Sequence, residues 1–227
     1  GHYLGWTGRR IAPPAQAALQ ADHRRLLAGM LAWCIGAGVV TGMALALQWL
    51  AHQLPFWAAV LLTGLALKPL LAWRMLRREV LSVERALGES LDAGREQLSY
   101  LVSRDVTWLN ESLVRESAIE SLAENLNDSV VAPVFWFVVA GLPGAALYRF
   151  ANTADAMWGY RGVRGGRIWE WAGKFAARAD DVLSWIPARI TAVLLALAAL
   201  RWPRGLAREA RRTPSPNNGW PMAAMAL

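Results

Sequence analysis

The sequence predicts an all-α, polytopic integral membrane protein, and three observations predict it. Apolar residues fill 55% of the 227 positions and charged residues only 18%, an imbalance outside the soluble range. Residues 26–50 carry no charge and as a helix would reach roughly 37 Å, more than the ~30 Å of a bilayer's hydrocarbon. A second apolar run, 55–73, returns after the short uncharged link AHQL, interrupted only by Lys68-Pro69 near its end.

These two runs form the expected N-terminal transmembrane hairpin. Arg9, Arg10, Arg24 and Arg25 precede it, and Arg74, Arg77 and Arg78 follow it. By the positive-inside rule both outer flanks are cytoplasmic and the short link is outside. Residues 79–129 then read as a cytoplasmic helical segment. Its first part, 79–103, is amphipathic, with Val80, Val83, Leu87, Leu91, Leu98 and Leu101 at three- and four-residue steps. Gly88 and Gly94 weaken that helix or split it.

The later apolar runs are shorter. Residues 130–150 predict a broken apolar helix, because VVAPVFWFVVA meets Gly141-Leu-Pro-Gly144 after 11 positions. Arg161, Arg164, Arg167, Lys174 and Arg178 follow it, so a dip and return would keep both ends of this run cytoplasmic, its irregular backbone covered by protein or a wet cavity. Residues 151–182 form a polar segment. Residues 183–200 predict an apolar helix broken by Pro187 and Arg189, and 201–227 a basic linker leading into a next segment. The chain neither opens on Met nor closes at a break in its pattern, so it reads as a fragment of a longer protein, with no recognisable cleavable leader.

The net charge of +7 comes almost wholly from arginine. With no RNP, zinc-finger or helix-turn-helix pattern, that charge points to an anionic membrane surface and not to nucleic acid. The single cysteine, Cys34, reads as a buried structural thiol, and three scattered histidines exclude a His-based zinc or acid–base centre. The Gly162–Arg167 run is too short for a phosphate-binding loop and lacks its Lys-Ser/Thr ending. Trp49, Trp73 and Trp185 read as interfacial anchors.

Three polar clusters stand against the broken runs. In ESAIESLAENLNDSVVAPVFWF, Glu116, Glu120, Glu124 and Asp128 recur every fourth residue, and none has a base at the matching helical step. From 104 to 129 there are six acids and two bases. Like charges four apart cost ~0.2–0.5 kcal/mol per pair on a helix. A solvated helix face would carry such a stripe, but here an apolar wall follows at once. A divalent cation would call for these carboxylates, Mg²⁺ being held by one or two of them plus phosphate oxygens. The second cluster is Asn152-Thr153-Ala-Asp155, followed by Arg161, where Asn152 and Asp155 share a helix face or cap a helix start. The third is Arg178, Asp180 and Asp181, followed by Arg189. An arginine inside an apolar run is paired, functional or snorkelling to the interface.

Four stretches, AIESLAENLNDSVVAPVFW, NTADAMWGY, RADDVLSWIPARIT and SPNNGWP, stand in the order and near the spacings of the CbiB/CobD family, which this chain resembles from about Arg104 to Pro221. Members begin with an extra apolar segment and continue past the last motif. The resemblance implies a multi-pass protein of the bacterial inner (cell) membrane, its active-site segments on the cytoplasmic side. It implies an adenosylcobinamide-phosphate synthase of cobalamin biosynthesis. That ligase couples a carboxylate of the corrinoid adenosylcobyric acid to (R)-1-amino-2-propanol phosphate, or to aminopropanol, with ATP split to ADP and phosphate and Mg²⁺ present. Other enzymes of the pathway are possible partners besides membrane lipid.

On that resemblance Glu120, Glu124 and Asp128 are expected to hold Mg²⁺–nucleotide, with Asn125 fixing the geometry. Asn152 and Asp155 complete the catalytic set. Arg104, Arg161, Arg178 and Arg189 bind phosphate or corrin carboxylate, and Asp180 or Asp181 orients one of them. Val106, Asn127 and Ser129 depart from the residues usual in the family. Two other classes fit more loosely: a membrane regulator of the ampicillin-resistance type, which could lose the acid–Asn set kept here, and a small transporter, for which two clear spans are few.

Overall fold

The computed structural model describes residues 2–15, 22–102 and 104–227. It is predominantly helical, and among the described residues the strands form one two-stranded hairpin. Among the described residues, four helical stretches are long and apolar enough to cross a membrane: His23–His52, Phe56–Glu89, Glu111–Trp158 and Lys174–Ala198. The chain divides into two compact units. The first holds residues 1–70 and 133–183, the second 71–132 and 184–227.

In the first unit, α1 (His2–Ile11) precedes α2 (His23–His52) and α3 (Phe56–Leu67), which are the expected hairpin. Asp22 caps α2 by accepting from the Arg25 amide at 3.0 Å. At Lys68–Leu70 the second arm tightens into a 3₁₀ turn, as the Lys68-Pro69 interruption foretold. The outward faces of α2 and α3 are apolar, with Leu31, Val39, Met43, Phe56 and Leu61 exposed, as lipid-facing side chains would be. Cys34 lies exposed on that face and not buried as expected. Its apolar neighbourhood misled because in a membrane helix the apolar side faces outward as well as inward.

The inward face of α2 is a seam of small residues, including Gly29, Ala32, Gly36 and Ala37. A Cβ on Gly29 would overlap the Ala172 carbonyl, so the helix approaches its neighbour backbone to backbone. The core there joins Leu4, Ile11, Ala32, Phe150, Trp158 and Ala176. The Trp158 indole donates to the Leu4 carbonyl at 3.0 Å, tying α1 down.

The long α7 (Ala132–Trp158) is broken where the sequence predicts. Ala140 and Gly141 leave helical geometry, Gly141 at a φ of 64°. Such a break frees backbone groups that lipid cannot satisfy. Gln48 on α2 meets one of them: its side-chain oxygen accepts from the Leu142 amide at 2.8 Å. Replacing Gln48 by Leu strands that amide and should cost about 1–3 kcal/mol. A lower thermal-unfolding midpoint in detergent checks this, with Trp49→Leu on the exposed face as the silent control. The helix then continues through Asn152 and Asp155 to Trp158, so these residues lie in its last turns and cap no helix start.

A hairpin, β1 (Val163–Arg164) with β2 (Arg167–Ile168), leads into α8 (Lys174–Ala198). α8 contributes to the first unit up to Leu183 and to the second from Ser184. Here the expected break at Pro187 and Arg189 does not occur, and the helix runs through both. Pro187 has no amide for the Leu183 carbonyl. The Trp136 indole, from α7, donates to that carbonyl at 3.0 Å instead.

In the second unit the amphipathic stretch is divided at Ser90 into α4 (Trp73–Glu89) and α5 (Leu91–Ser99). Ser90 caps α5 by accepting from the Ala93 amide at 3.1 Å. Val83, Leu87, Leu98, Leu109, Val114 and Ala118 form the core between these helices and α6 (Glu111–Leu126). α6 passes into a π-helical stretch, Asn127–Val131, before α7 begins. The Ala72 amide donates to the Ser129 carbonyl of that stretch at 3.1 Å. Short helices α9 (Leu206–Ala210) and α10 (Gly219–Ala226) pack with Ala192 of α8.

Candidate functional site

In the second unit the acidic stripe is built from α6 and its π-helical continuation. π-turns widen the helix and occur often at functional sites. Glu116 at the start is exposed, while Glu120, Glu124 and Asp128 are half-buried. The expectation that the stripe lacks basic partners fails at Glu120. Arg104 donates to its carboxylate at 3.0 Å and also to the Ser117 hydroxyl. That base comes from 16 positions upstream, where no helical step points. Arg115 behaves as its position suggests, pairing with Glu111 at 2.6 Å and with Glu84 at 2.9 Å. Beside Arg104, Asp105 accepts from the backbone amide and the hydroxyl of Thr107, which holds its carboxyl below the ordinary aspartate value.

Further along, the stripe meets the C-terminal loop. Asn218 donates its side-chain amide to Glu124. Its neighbour Asn217, 1% exposed, accepts from Arg189 of α8 at 2.7 Å. Two residues on, the Thr191 hydroxyl donates to the Asn127 oxygen at 3.0 Å, and the Asn127 amide donates to Asp128 at 2.8 Å. Thr191 and Asn127 are themselves almost wholly enclosed. The stripe thus meets two hydrogen-bonded sets: Glu124 with Asn218, whose neighbour Asn217 is held by Arg189, and Asp128 with Asn127 and Thr191. The buried members, Asn127, Thr191 and Asn217, favour one geometry because each has a hydrogen-bond partner. Asn125 turns its amide to the Ser121 carbonyl of its own helix at 2.9 Å.

Arg189 also donates to the Trp185 carbonyl at 2.7 Å and to the Pro216 carbonyl at 3.2 Å. Trp185 and Trp220 flank its guanidinium, at 4.4 and 4.9 Å from their ring centres. It is therefore paired and stacked and does not snorkel.

In the first unit the end of α7 faces the start of α8. Asn152 donates to Asp180 at 3.5 Å and receives Arg149 at 3.4 Å. Arg178 pairs with Asp181 at 3.2 Å, so the adjacent aspartates serve different partners. Asp155 packs its carboxylate beside Gly159, and Arg161 is exposed at the start of the hairpin loop.

Among the described residues no three His, Cys, Asp or Glu side chains are grouped as a metal site of their own. Glu124 and Asp128, each oriented by an asparagine amide, are two carboxylates of the stripe of the hard-oxygen type that Mg²⁺ takes when phosphate oxygens complete its shell. The donor set therefore fits nucleotide-bound Mg²⁺.

The sequence reading missed Asn127, Arg149, Thr191, Asn217 and Asn218. Asn217 and Asn218 lie in the quoted SPNNGWP stretch, and two adjacent amides ahead of an apolar helix were the available signal.

No solved structure matches the chain. It is similar to the "Cobalamin biosynthesis protein CobD" of Rhodobacter capsulatus, at 40% identity over 231 residues, covering 100% of this chain and 71% of the relative. The protein of the same name from Halalkalibacterium halodurans is 42% identical, with 83% of this chain and 61% of the relative covered. The "Probable cobalamin biosynthesis protein CobD" of Methanothermobacter thermautotrophicus is 47% identical, with 74% and 57% covered. The chain thus spans about three-fifths of the length of the latter two. The family description "CobD/Cbib protein" matches residues 1–227 without a gap at either end, and the chain belongs to that family.

Proposed function

We propose that this chain acts in cobalamin biosynthesis as an ATP-dependent amide ligase, joining adenosylcobyric acid to (R)-1-amino-2-propanol phosphate or to aminopropanol. The names of the relatives support the pathway. The observation that carries the reaction class is the orientation of two stripe carboxylates by asparagine amides, Glu124 by Asn218 and Asp128 by Asn127. Two oriented carboxylates beside an apolar helix suit a cation–phosphate complex better than they suit packing.

Mg²⁺ with ATP would supply the phosphoryl group that makes a carboxylate electrophilic enough for an amine. Glu124 and Asp128 would hold the cation. Arg189, its donors taken up by the 216–217 backbone and side chain, positions that loop and through it Glu124, in place of the direct phosphate contact expected for it. In the first unit, Asn152 and Asp180, with Asp155 one turn along, offer amide and carboxylate oxygens of the kind that hold a protonated amine and accept its proton. Arg161 and Arg178 remain candidates for the phosphate and corrin carboxylates. These segments act on the cytoplasmic side of the bacterial cell membrane.

The test is direct. The purified membrane protein is incubated with adenosylcobyric acid, aminopropanol phosphate and Mg·ATP, and the corrinoid is weighed by mass spectrometry. The expected result is a mass gain of one amide-linked aminopropanol phosphate with equimolar ADP. Unchanged corrinoid, with ATP intact, overturns the reading.

A further inference from the structure

The first turns of α4 carry a second charged feature, apart from the acidic stripe. Arg74, Arg77, Arg78 and Arg85, with Trp73 and Glu84, line a cavity of about 510 Å³. All six side chains are exposed. Glu84, the one acid among these walls, is held by Arg115 through both carboxylate oxygens, at 2.9 and 3.2 Å. Among the described residues, Arg74, Arg77 and Arg78 have no ion pair at all. Arg85 donates to the Leu81 carbonyl.

Arg74 stands three and four residues before Arg77 and Arg78, on one face, where like charges repel. The start of α4 adds to the field, since it has no side-chain cap and no acid in its first turn. A concave site with this much uncompensated positive charge is complementary to a phosphate. Arginine's planar fork suits a phosphate's oxygens in pairs.

The place in the chain selects the kind of phosphate. Only Leu71 and Ala72 separate α4 from the 3₁₀ turn that ends the hairpin. Trp73 is 48% and Met75 64% exposed. An aromatic ring and an apolar side chain beside arginines, at the foot of a membrane-spanning helix, match the level of lipid headgroups. We propose that this cavity binds the headgroup phosphate of an anionic phospholipid.

The probe is phosphatidylglycerol, titrated against phosphatidylcholine into the detergent-solubilised full chain and read by native mass spectrometry. Phosphatidylglycerol should be retained about tenfold or more over phosphatidylcholine. Replacing Arg74→Gln, Arg77→Gln and Arg78→Gln together should bring it to the phosphatidylcholine level. The corresponding triple Lys variant should keep most of the preference. Should the triple Gln protein fail to fold, Arg74→Gln and Arg78→Gln singly must each lower retention in part. Equal retention by wild type and Gln variants overturns the proposal. So does displacement of phosphatidylglycerol by equimolar inorganic phosphate, which would make the cavity a site for soluble anions.

Discussion

Glu124→Gln should abolish amide formation, lowering turnover by roughly 10²–10³-fold or more, while the protein keeps its fold. Glutamine has the shape of glutamate and retains an oxygen that accepts from Asn218, so the latch between α6 and the C-terminal loop survives. What disappears is the negative charge proposed to hold Mg²⁺. Product measured by mass spectrometry should fall below detection while the melting curve in detergent stays in place. Glu120→Gln makes the contrast. Its charge is already met by Arg104 across 3.0 Å, and a half-exposed pair of this kind is worth about 0–1 kcal/mol. Turnover there should fall far less. Full activity in the Glu124 variant would refute the assignment outright.

Arg189→Gln should damage both stability and activity. The guanidinium connects three carbonyl or amide oxygens, on Trp185, Pro216 and Asn217. Asn217 is almost fully enclosed, so its oxygen would lose a charged donor where water has little access. A loss of about 2–4 kcal/mol is expected. The loop would then be released, and Asn218 with it, so turnover should fall along with the melting midpoint. Limited proteolysis at 213–218 reads the first effect and product formation the second. Arg189→Lys should restore the charge but little else, because an ammonium cannot span those acceptors as a planar fork does. Wild-type proteolysis in the Gln variant would show that the loop is held by something other than this residue.

The membrane helices were legible because hydropathy and length are local properties. The 3₁₀ turn at Lys68–Leu70 and the break at Gly141 were legible for the same reason, each written in a Pro or Gly at the position itself. Pro187 carried an equally strong local signal and gave the wrong answer. Its cost is met by Trp136, 47 positions upstream from the carbonyl it serves. Cys34 shows a related limit, since an apolar run around a residue does not say whether lipid or protein lies opposite it. The candidate site divides along the same line. Glu120, Glu124 and Asp128 stood out by their spacing, but the partners of Glu120 and Glu124 lie 16 and 94 positions away. Pairwise contacts at such separations leave no periodicity to read. The hairpin at 163–168 was a different kind of miss, because a Gly-Gly pair between Val-Arg and Arg-Ile is a turn signal in its own right.

The separation between Glu124 and Asn218 also orders the making of this protein. Synthesis runs from the N-terminus and early segments settle first. The acidic helix is therefore translated, and its neighbours inserted, well before the residue that caps its central carboxylate leaves the ribosome. A nascent chain stopped short of position 218 holds the four long apolar helical stretches found among the described residues yet lacks the clasp on Glu124. Competence for ligand then waits on the loop that follows the fourth of them.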